Sequence, residues 1–138
     1  MKTLVVLAVS IVMVSIFFCP MVMAAPSMPA DLQMVQPDPS LPKELAAFWG
    51  KWQSIPYPEH FFVIVEKIDE EKATLYVWVI GLEGTAASWG RREAKVIKER
   101  GKYKLWFRGP FGNVEVILKG EYLVTVSSAV GSQLKRVP

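Results

Sequence analysis

The feature that most constrains this chain is a series of eight β-rich segments joined by connections that are too short for crossover helices. The segments are rich in Val, Ile, Tyr, Phe and Trp, and Gly- or Pro-containing turns separate them. They span residues 51–55, 60–69, 73–82, 91–99, 102–109, 113–119, 121–127 and 133–137. Because parallel strands need long crossover connections, neighbouring segments must pair antiparallel as hairpins. The segment order therefore predicts an up-and-down meander.

A flat meander of eight strands would leave two unpaired edges, and closure into a barrel removes both. The segment 73–82 is apolar on both faces, with alternate residues Leu75, Val77, Val79 and Tyr76, Trp78, Ile80. One face can then pack inside a barrel while the other meets a helix, a loop or a partner. The predicted fold class is all-β, an antiparallel up-and-down barrel of eight strands.

A short helix is predicted directly before the first strand. Leu41, Leu45 and Phe48 recur at helical spacing, Pro42 suits the first helical position, and Gly50 suits a C-terminal stop. We expect this helix to close one end of the barrel.

The first 24 residues have the order of a secretory signal peptide. Lys2 precedes an uncharged, mostly apolar run over 4–18, and Val22 and Ala24 suit a cleavage site after Ala24. The alternative is a membrane anchor, but a run of about 15 residues is short of the ~20 that span a bilayer. We predict an exported protein, periplasmic or extracellular, with no transmembrane span after cleavage.

Removal of this leader leaves a chain without cysteine and nearly balanced in charge. Cys19 follows two phenylalanines, whereas a lipid-attachment site needs small residues there. Disulfides, cysteine nucleophiles and cysteine-based metal sites are then excluded. Of the 16 Lys and Arg residues only Lys2 lies in the leader, so 15 basic residues face 13 acidic ones. This balance gives no reason to expect a nucleic-acid partner.

Proline content marks the boundary between leader and barrel. Five prolines fall within residues 25–42, and few aromatic or β-branched residues accompany them. Since proline fixes φ and removes a hydrogen-bond donor, residues 25–40 are predicted to form an extended linker. The barrel domain is assigned to residues 41–138.

The junction of helix and first strand resembles that of a known superfamily. Gly50-Lys51-Trp52 follows the helix directly, and this arrangement is similar to the Gly-x-Trp of calycins, the lipocalin-like eight-stranded barrels. The resemblance implies that Trp52 packs at the closed end beside a basic residue of the last strand, where Lys135 and Arg136 stand. Gly50, Trp52 and Arg136 are therefore expected to be structural.

Residues 41–137 also resemble a small secreted bacterial lipocalin-like domain that occurs fused to exported hydrolases and has no assigned chemistry. The matching segments are residues 45–52, 63–69, 75–78 and 133–137. The chain lacks the long mouth loop, C-terminal helix and disulfides of lipocalins, which implies a smaller cavity than theirs.

An eight-stranded barrel is either filled by side chains or holds one small ligand. Most aromatic residues are expected to fill the core, and the candidates for ligand contact are Trp78, Trp89, Trp106 and Phe111. Trp89 and Phe111 are singled out because they lie in turn-rich segments. Glu66 interrupts an apolar strand, so it is predicted either to anchor a ligand in the lumen or to pair with a cation of a neighbouring strand.

Basic residues are concentrated between 91 and 108, where eight cations accompany two carboxylates. The candidates for surface binding are Arg91, Arg92, Lys95, Lys98, Arg100, Lys102 and Lys104. Such a hairpin outside the cell suits anionic lipid, polysaccharide or an exported partner. The alternative is a solvated face whose lysines discourage strand addition.

Neither a catalytic constellation nor a metal or cofactor motif is recognisable. His60 is the single histidine, and no nucleophile elbow, phosphate loop or nucleotide fingerprint occurs. We expect a non-catalytic exported binding protein for a small apolar or aromatic ligand at the open end of the barrel. The alternative is an interaction module that docks on anionic envelope components or another exported protein through residues 91–108.

Overall fold

The computed structural model describes residues 26–55, 57, 60–80, 87–109, 112–127 and 131–138. One short helix precedes eight strands: α1 (Lys43–Ala46), β1 (Gly50–Ile55), β2 (Phe61–Ile68), β3 (Lys72–Val79), β4 (Ser88–Glu99), β5 (Lys102–Gly109), β6 (Gly112–Lys119), β7 (Tyr122–Ser127) and β8 (Gly131–Val137). Each strand pairs antiparallel with the next, and β1 pairs with β8. The predicted up-and-down barrel of eight strands is thus confirmed.

Every strand except β5 differs from its predicted bounds by one to three residues at one or both ends, and two differences in element boundaries matter for the site. α1 has only four residues and ends at Ala46, so Gly50, which begins β1 with a φ of 127°, is not its C-terminal stop. β4 begins at Ser88, so Trp89 lies within a strand rather than in a turn. The predicted leader and its cleavage site, and Phe111, lie outside the described residues.

The core fills the half of the barrel next to α1. The strand register turns every second residue inward, and the alternation brings Trp52 opposite Val63 and Arg136. The inward-facing residues that are at most 1% exposed are Trp52, Val63, Val65, Ala73, Leu75, Ala94, Leu105, Phe107, Val116, Leu123 and Leu134. Leu45 and Phe48, beside β1, cover this core from the end and are equally buried. We call this the α1 end of the barrel.

Tight turns join the strands at the α1 end. The β4–β5 connection is a two-residue hairpin closed by Glu99 opposite Lys102, and both of its central residues, Arg100 and Gly101, have positive φ. Such turns match the right-handed twist of the flanking strands, and a glycine in the second position lowers their cost.

The Pro-rich segment that the sequence predicts as a linker lies against the outside of the barrel. The Val35 N–H donates to the Glu66 carbonyl (2.9 Å) and the Trp89 indole N–H donates to the Ser27 carbonyl (2.7 Å). We call residues 26–36 the strap. It crosses the outer face of β2, β3 and the start of β4, where apolar side chains face outward and need cover from water.

Candidate functional site

At the α1 end, the Trp52 indole and the Arg136 guanidinium hold the end of the helix against the barrel. The Trp52 indole N–H donates to the Phe48 carbonyl (2.9 Å), and the Arg136 guanidinium lies over the Trp52 ring, 4.3 Å from its centroid. Arg136 also donates to the Ala47 carbonyl (2.7 Å) and the Trp49 carbonyl (2.5 Å). Ala47 is the C-cap of α1, and Trp49 lies between the helix and β1, so Arg136 ties the segment that joins the two elements. The resemblance to calycins implies the contact between Trp52 and Arg136, and the structure contains it.

Gly50 is the residue that lets Arg136 reach these carbonyls. A Cβ at this position would collide with the Arg136 Nη1 atom, and its φ of 127° lies in a region that L residues rarely adopt. Burial lowers the pKa of the Arg136 guanidinium from its ordinary value. Gly50, Trp52 and Arg136 therefore form one structural unit.

The opposite end of the barrel, which we call the mouth, is less completely filled. Phe61, Val79 and Val114 face inward there and pack against the core, yet they remain partly exposed. The fully buried Phe107 lies beneath them. The described inward-facing side chains are therefore only partly buried at the mouth and fully buried below it.

Arg92 brings a charge into the mouth. It pairs with Leu75 in β3, and this register turns its side chain inward. Its guanidinium lies over Gly90, where a Cβ would stand 3.1 Å from Nη2, and its Nη1 donates to the Arg91 carbonyl (2.9 Å). No carboxylate in the described part of the chain forms a salt bridge with it.

The inward direction of Arg92 corrects the expectation that it belongs to a surface-binding set. Arg91 and Arg92 are neighbours in one strand, so their side chains must point to opposite faces. The sequence contains a signal for this placement. Gly90, Arg92 and Ala94 alternate along the strand, so Arg92 lies on the same face as its small and apolar residues. Charge counted along the sequence does not separate the two faces of a strand, so it assigns Arg92 to the surface with its neighbours and does not single out Gly90.

The three described tryptophan candidates lie on the outer face. Trp78 is opposite Phe62 and Trp89, and the Trp78 and Trp89 ring centroids are 5.5 Å apart. Trp106 is opposite Lys95 and Glu115 on the far side of the barrel. The expectation that Trp78 and Trp106 line the open end is therefore corrected, because the register turns both away from the lumen.

Glu66 forms an ion pair outside the lumen. A register shift between Val65 and Lys67 leaves Glu66 unpaired in the β2–β3 ladder. Its Oε2 accepts from Arg91 Nη2 (3.0 Å) and its Oε1 from the Gln33 N–H of the strap (2.7 Å). The Glu66 side chain is only 4% exposed. Of the two predicted roles, the structure shows pairing with a cation, but this cation lies on β4 and not on a strand adjacent to β2. The hydrogen bond from Arg91 to Glu66 raises the pKa of Arg91.

The remaining basic residues of 91–108 divide among three environments. Lys104 bridges Glu99 and Glu115, with both N···O distances at 3.0 Å, and these contacts raise its pKa. Lys98 lies over the Tyr103 ring, 5.0 Å from the centroid. The cations with neither a carboxylate nor a ring partner among the described residues are Lys95, Arg100, Lys102 and Arg108. Of the predicted set, Lys95, Arg100 and Lys102 therefore stay available at the surface.

A shallow cleft lies beside α1. It has a volume of about 430 Å³, and its lining includes Trp52, Tyr122, Lys135 and Arg136. Trp52 and Arg136 are already engaged at the end of the helix, so a ligand in this cleft would contact other lining residues, which include Ile55, Glu121, Tyr122 and Lys135.

The described residues contain no group of three or more side chains placed to hold a metal ion. They also contain no helix long and apolar enough to cross a membrane. His60 stacks on Tyr57, with ring centroids 4.9 Å apart.

The closed eight-stranded antiparallel barrel with a short helix at one end is compatible with a calycin-like fold. No protein-family model, curated protein or solved structure matches the chain.

Proposed function

We propose that this chain is an exported, calycin-like binding protein without catalytic activity, and that it holds a small, partly apolar anion in the mouth of the barrel. The observation that carries the proposal is Arg92, an inward-facing cation with a single backbone partner at the half-open end of an apolar lumen. Export rests on the leader-like sequence of residues 1–24, and the calycin relationship on the Gly50-Lys51-Trp52 motif and barrel closure.

The mouth offers both parts of such a ligand a complementary surface. Phe61, Val79 and Val114 provide an apolar wall, and the Arg92 guanidinium provides a fork of N–H donors that suits a carboxylate or sulfonate. The buried Phe107 and Val77 close the lumen below the mouth. This floor limits the ligand to a short chain or one or two rings, which agrees with a cavity smaller than that of a typical lipocalin.

A titration with 8-anilinonaphthalene-1-sulfonate tests the proposal. We expect enhanced fluorescence with the unmodified chain and a loss of affinity of about tenfold or more in Arg92→Leu, since a hydrogen bond to a charged group contributes about 1.5–3 kcal/mol. Arg108→Leu is the matched control, because Arg108 lies on the outer face, opposite Asn113. Equal affinity of the Arg92→Leu and Arg108→Leu variants would contradict the proposal.

A second function, docking on an anionic surface, is favoured by one observation. Lys95, Arg100, Lys102 and Arg108 have no carboxylate partner among the described residues, and half-exposed Trp106 lies opposite Lys95. Binding to vesicles rich in phosphatidylglycerol would then weaken as salt rises and in Lys95→Glu, while Arg92→Leu would leave it unchanged. Loss of vesicle binding in Arg92→Leu instead would place the anion site in the mouth.

A further inference from the structure

The outer face of β2, β3 and the start of β4 forms an aromatic groove with the strap seated in it. Its floor contains Phe62, Ile64, Tyr76, Trp78 and Trp89, and the Glu66–Arg91 ion pair lies at one end. Phe62, Ile64 and Tyr76 are at most 3% exposed although they face away from the lumen. The strap is what buries this outward-facing apolar surface.

We propose that this groove is a recognition site for extended, proline-containing polypeptide segments, and that the strap is an exchangeable occupant held in cis. The partner is such a segment of another polypeptide, with backbone carbonyls facing the indoles and a carboxylate facing Tyr76.

The contacts of the strap are those by which proteins recognise extended segments. The Trp89 indole N–H binds the Ser27 carbonyl, and the Gln33 and Val35 N–H groups bind the Glu66 carboxylate and carbonyl. All three use the strap backbone, so they demand an extended chain rather than a particular sequence. Prolines at 26 and 29 stiffen the segment, and aromatic grooves bind such preformed chains at low entropic cost.

The strap satisfies the groove incompletely. The Tyr76 hydroxyl and the Trp78 indole N–H are buried and have no hydrogen-bond partner in the described structure. Burial raises the pKa of Tyr76, and the Asp31 carboxylate of the strap adds to this effect. The Asp31 carboxylate therefore lies close to the Tyr76 hydroxyl. Because buried donors are almost always paired in folded proteins, a segment that placed acceptors against both groups would fit better than the strap.

The low burial of the strap favours its detachment from the groove. Most of its side chains are exposed or only half-buried, and the turn Asp38-Pro39-Ser40 separates it from α1. A short connection keeps its effective concentration near the groove in the millimolar range, about 1 mM. A segment of another polypeptide at micromolar concentration therefore cannot displace the docked strap. Such a segment binds the groove only after the strap has detached.

Two variants of the full chain, both substituted at Gln33, test the proposal. Gln33→Pro removes the N–H that binds Glu66 Oε1, whereas Gln33→Ala changes only an exposed side chain and keeps that N–H. The probe is a fluorescein-labelled synthetic peptide of residues 26–36 with the unmodified sequence, measured by anisotropy. We expect Gln33→Pro to bind the peptide at least tenfold more tightly than the unmodified chain and Gln33→Ala, and the two latter to behave alike.

A second variant identifies the groove as the place where the peptide binds. Trp89→Phe, combined with Gln33→Pro, keeps an aromatic ring but lacks the N–H that binds the Ser27 carbonyl, and we expect it to weaken peptide binding about tenfold. Val35→Pro serves if Gln33→Pro fails to fold: it removes the strap N–H that binds the Glu66 carbonyl and leaves the groove unchanged, so it should raise trans binding of the same peptide above that of the unmodified chain. Equal peptide binding by Gln33→Pro and Gln33→Ala, with the strand content intact by circular dichroism, would overturn the proposal.

Discussion

The two ends of the barrel use the same pair of residue types in opposite ways. At each end an inward-facing arginine lies against a glycine that leaves room for its guanidinium: Arg136 against Gly50, and Arg92 against Gly90. Arg136 donates to the carbonyls of Ala47 and Trp49, which follow α1, and covers the Trp52 ring. Arg92 donates to one backbone carbonyl and has no further hydrogen bond among the described residues.

The difference shows how a small barrel can separate stability from binding. The α1 end has buried Trp52, Leu45 and Phe48, and its arginine completes the end of a helix. The mouth has the same alternation of inward and outward residues but only half-buried side chains, so its arginine keeps donors for another molecule. If this division holds, matched substitutions at the two ends must differ in their effect on the free energy of unfolding.

The largest difference is expected from truncating one aromatic residue at each end. Trp52→Ala removes a 1%-exposed indole and its hydrogen bond to Phe48, and we expect a loss of about 3–5 kcal/mol. Phe61→Ala removes a half-buried ring, and about 1 kcal/mol is expected for the smaller apolar area. Urea unfolding followed by circular dichroism measures both. Equal losses would mean that the mouth is packed as tightly as the α1 end.

The fold was predictable because its signals are local and repeated. Turn residues set the strand boundaries, and short connections left antiparallel pairing as the one solution, so β5 was predicted with the bounds Lys102–Gly109 that the structure has. The strap was not predictable in this way. Its prolines indicate an extended chain, but whether that chain is solvated or docked depends on the outward face of β2 to β4, which is distant in sequence.

The next difference concerns the two arginines themselves. Arg136→Leu leaves the carbonyls of Ala47 and Trp49 without their donor, and we expect a loss of about 2–3 kcal/mol. Arg92→Leu breaks a single hydrogen bond at a half-exposed position, and its effect on stability should stay within about 0.5 kcal/mol. Thermal unfolding of the two variants at equal protein concentration makes the comparison. A large loss in Arg92→Leu would assign that residue to the fold and remove the basis for a ligand site in the mouth.

The candidate site was harder to predict than the fold, because it depends on which face of a strand each single residue occupies. A shift of one residue turns a side chain from lumen to surface, and this decides the placement of Trp78, Trp106 and Arg92. The pairing of Glu66 with Arg91 crosses an intervening strand, and a bulge beside Glu66 breaks the alternation that would locate it. Charge counted along the sequence could not reveal either arrangement.

The smallest effect is expected from a turn carboxylate at the α1 end. Burial tends to raise the pKa of Asp69, but hydrogen bonds from the Lys72 and Glu71 N–H groups, with the charges of Lys72 and Lys67, outweigh it and lower the pKa below its ordinary value of 3.8. A carboxylate with a lowered folded-state pKa stabilises the fold above its unfolded pKa, and this contribution disappears as the pH falls through the folded pKa.

Asp69→Asn isolates this charge, because the amide oxygen can still accept both N–H groups of the turn. Since Asp69 is largely solvated, screening limits the expected loss at pH 7 to less than about 1 kcal/mol. The free energies of unfolding of the variant and the unmodified chain should converge as the pH falls below the folded-state pKa of Asp69, where both turns are neutral. A difference that persists unchanged to low pH would show that the geometry of this turn, and not the charge of Asp69, is what stabilises the α1 end.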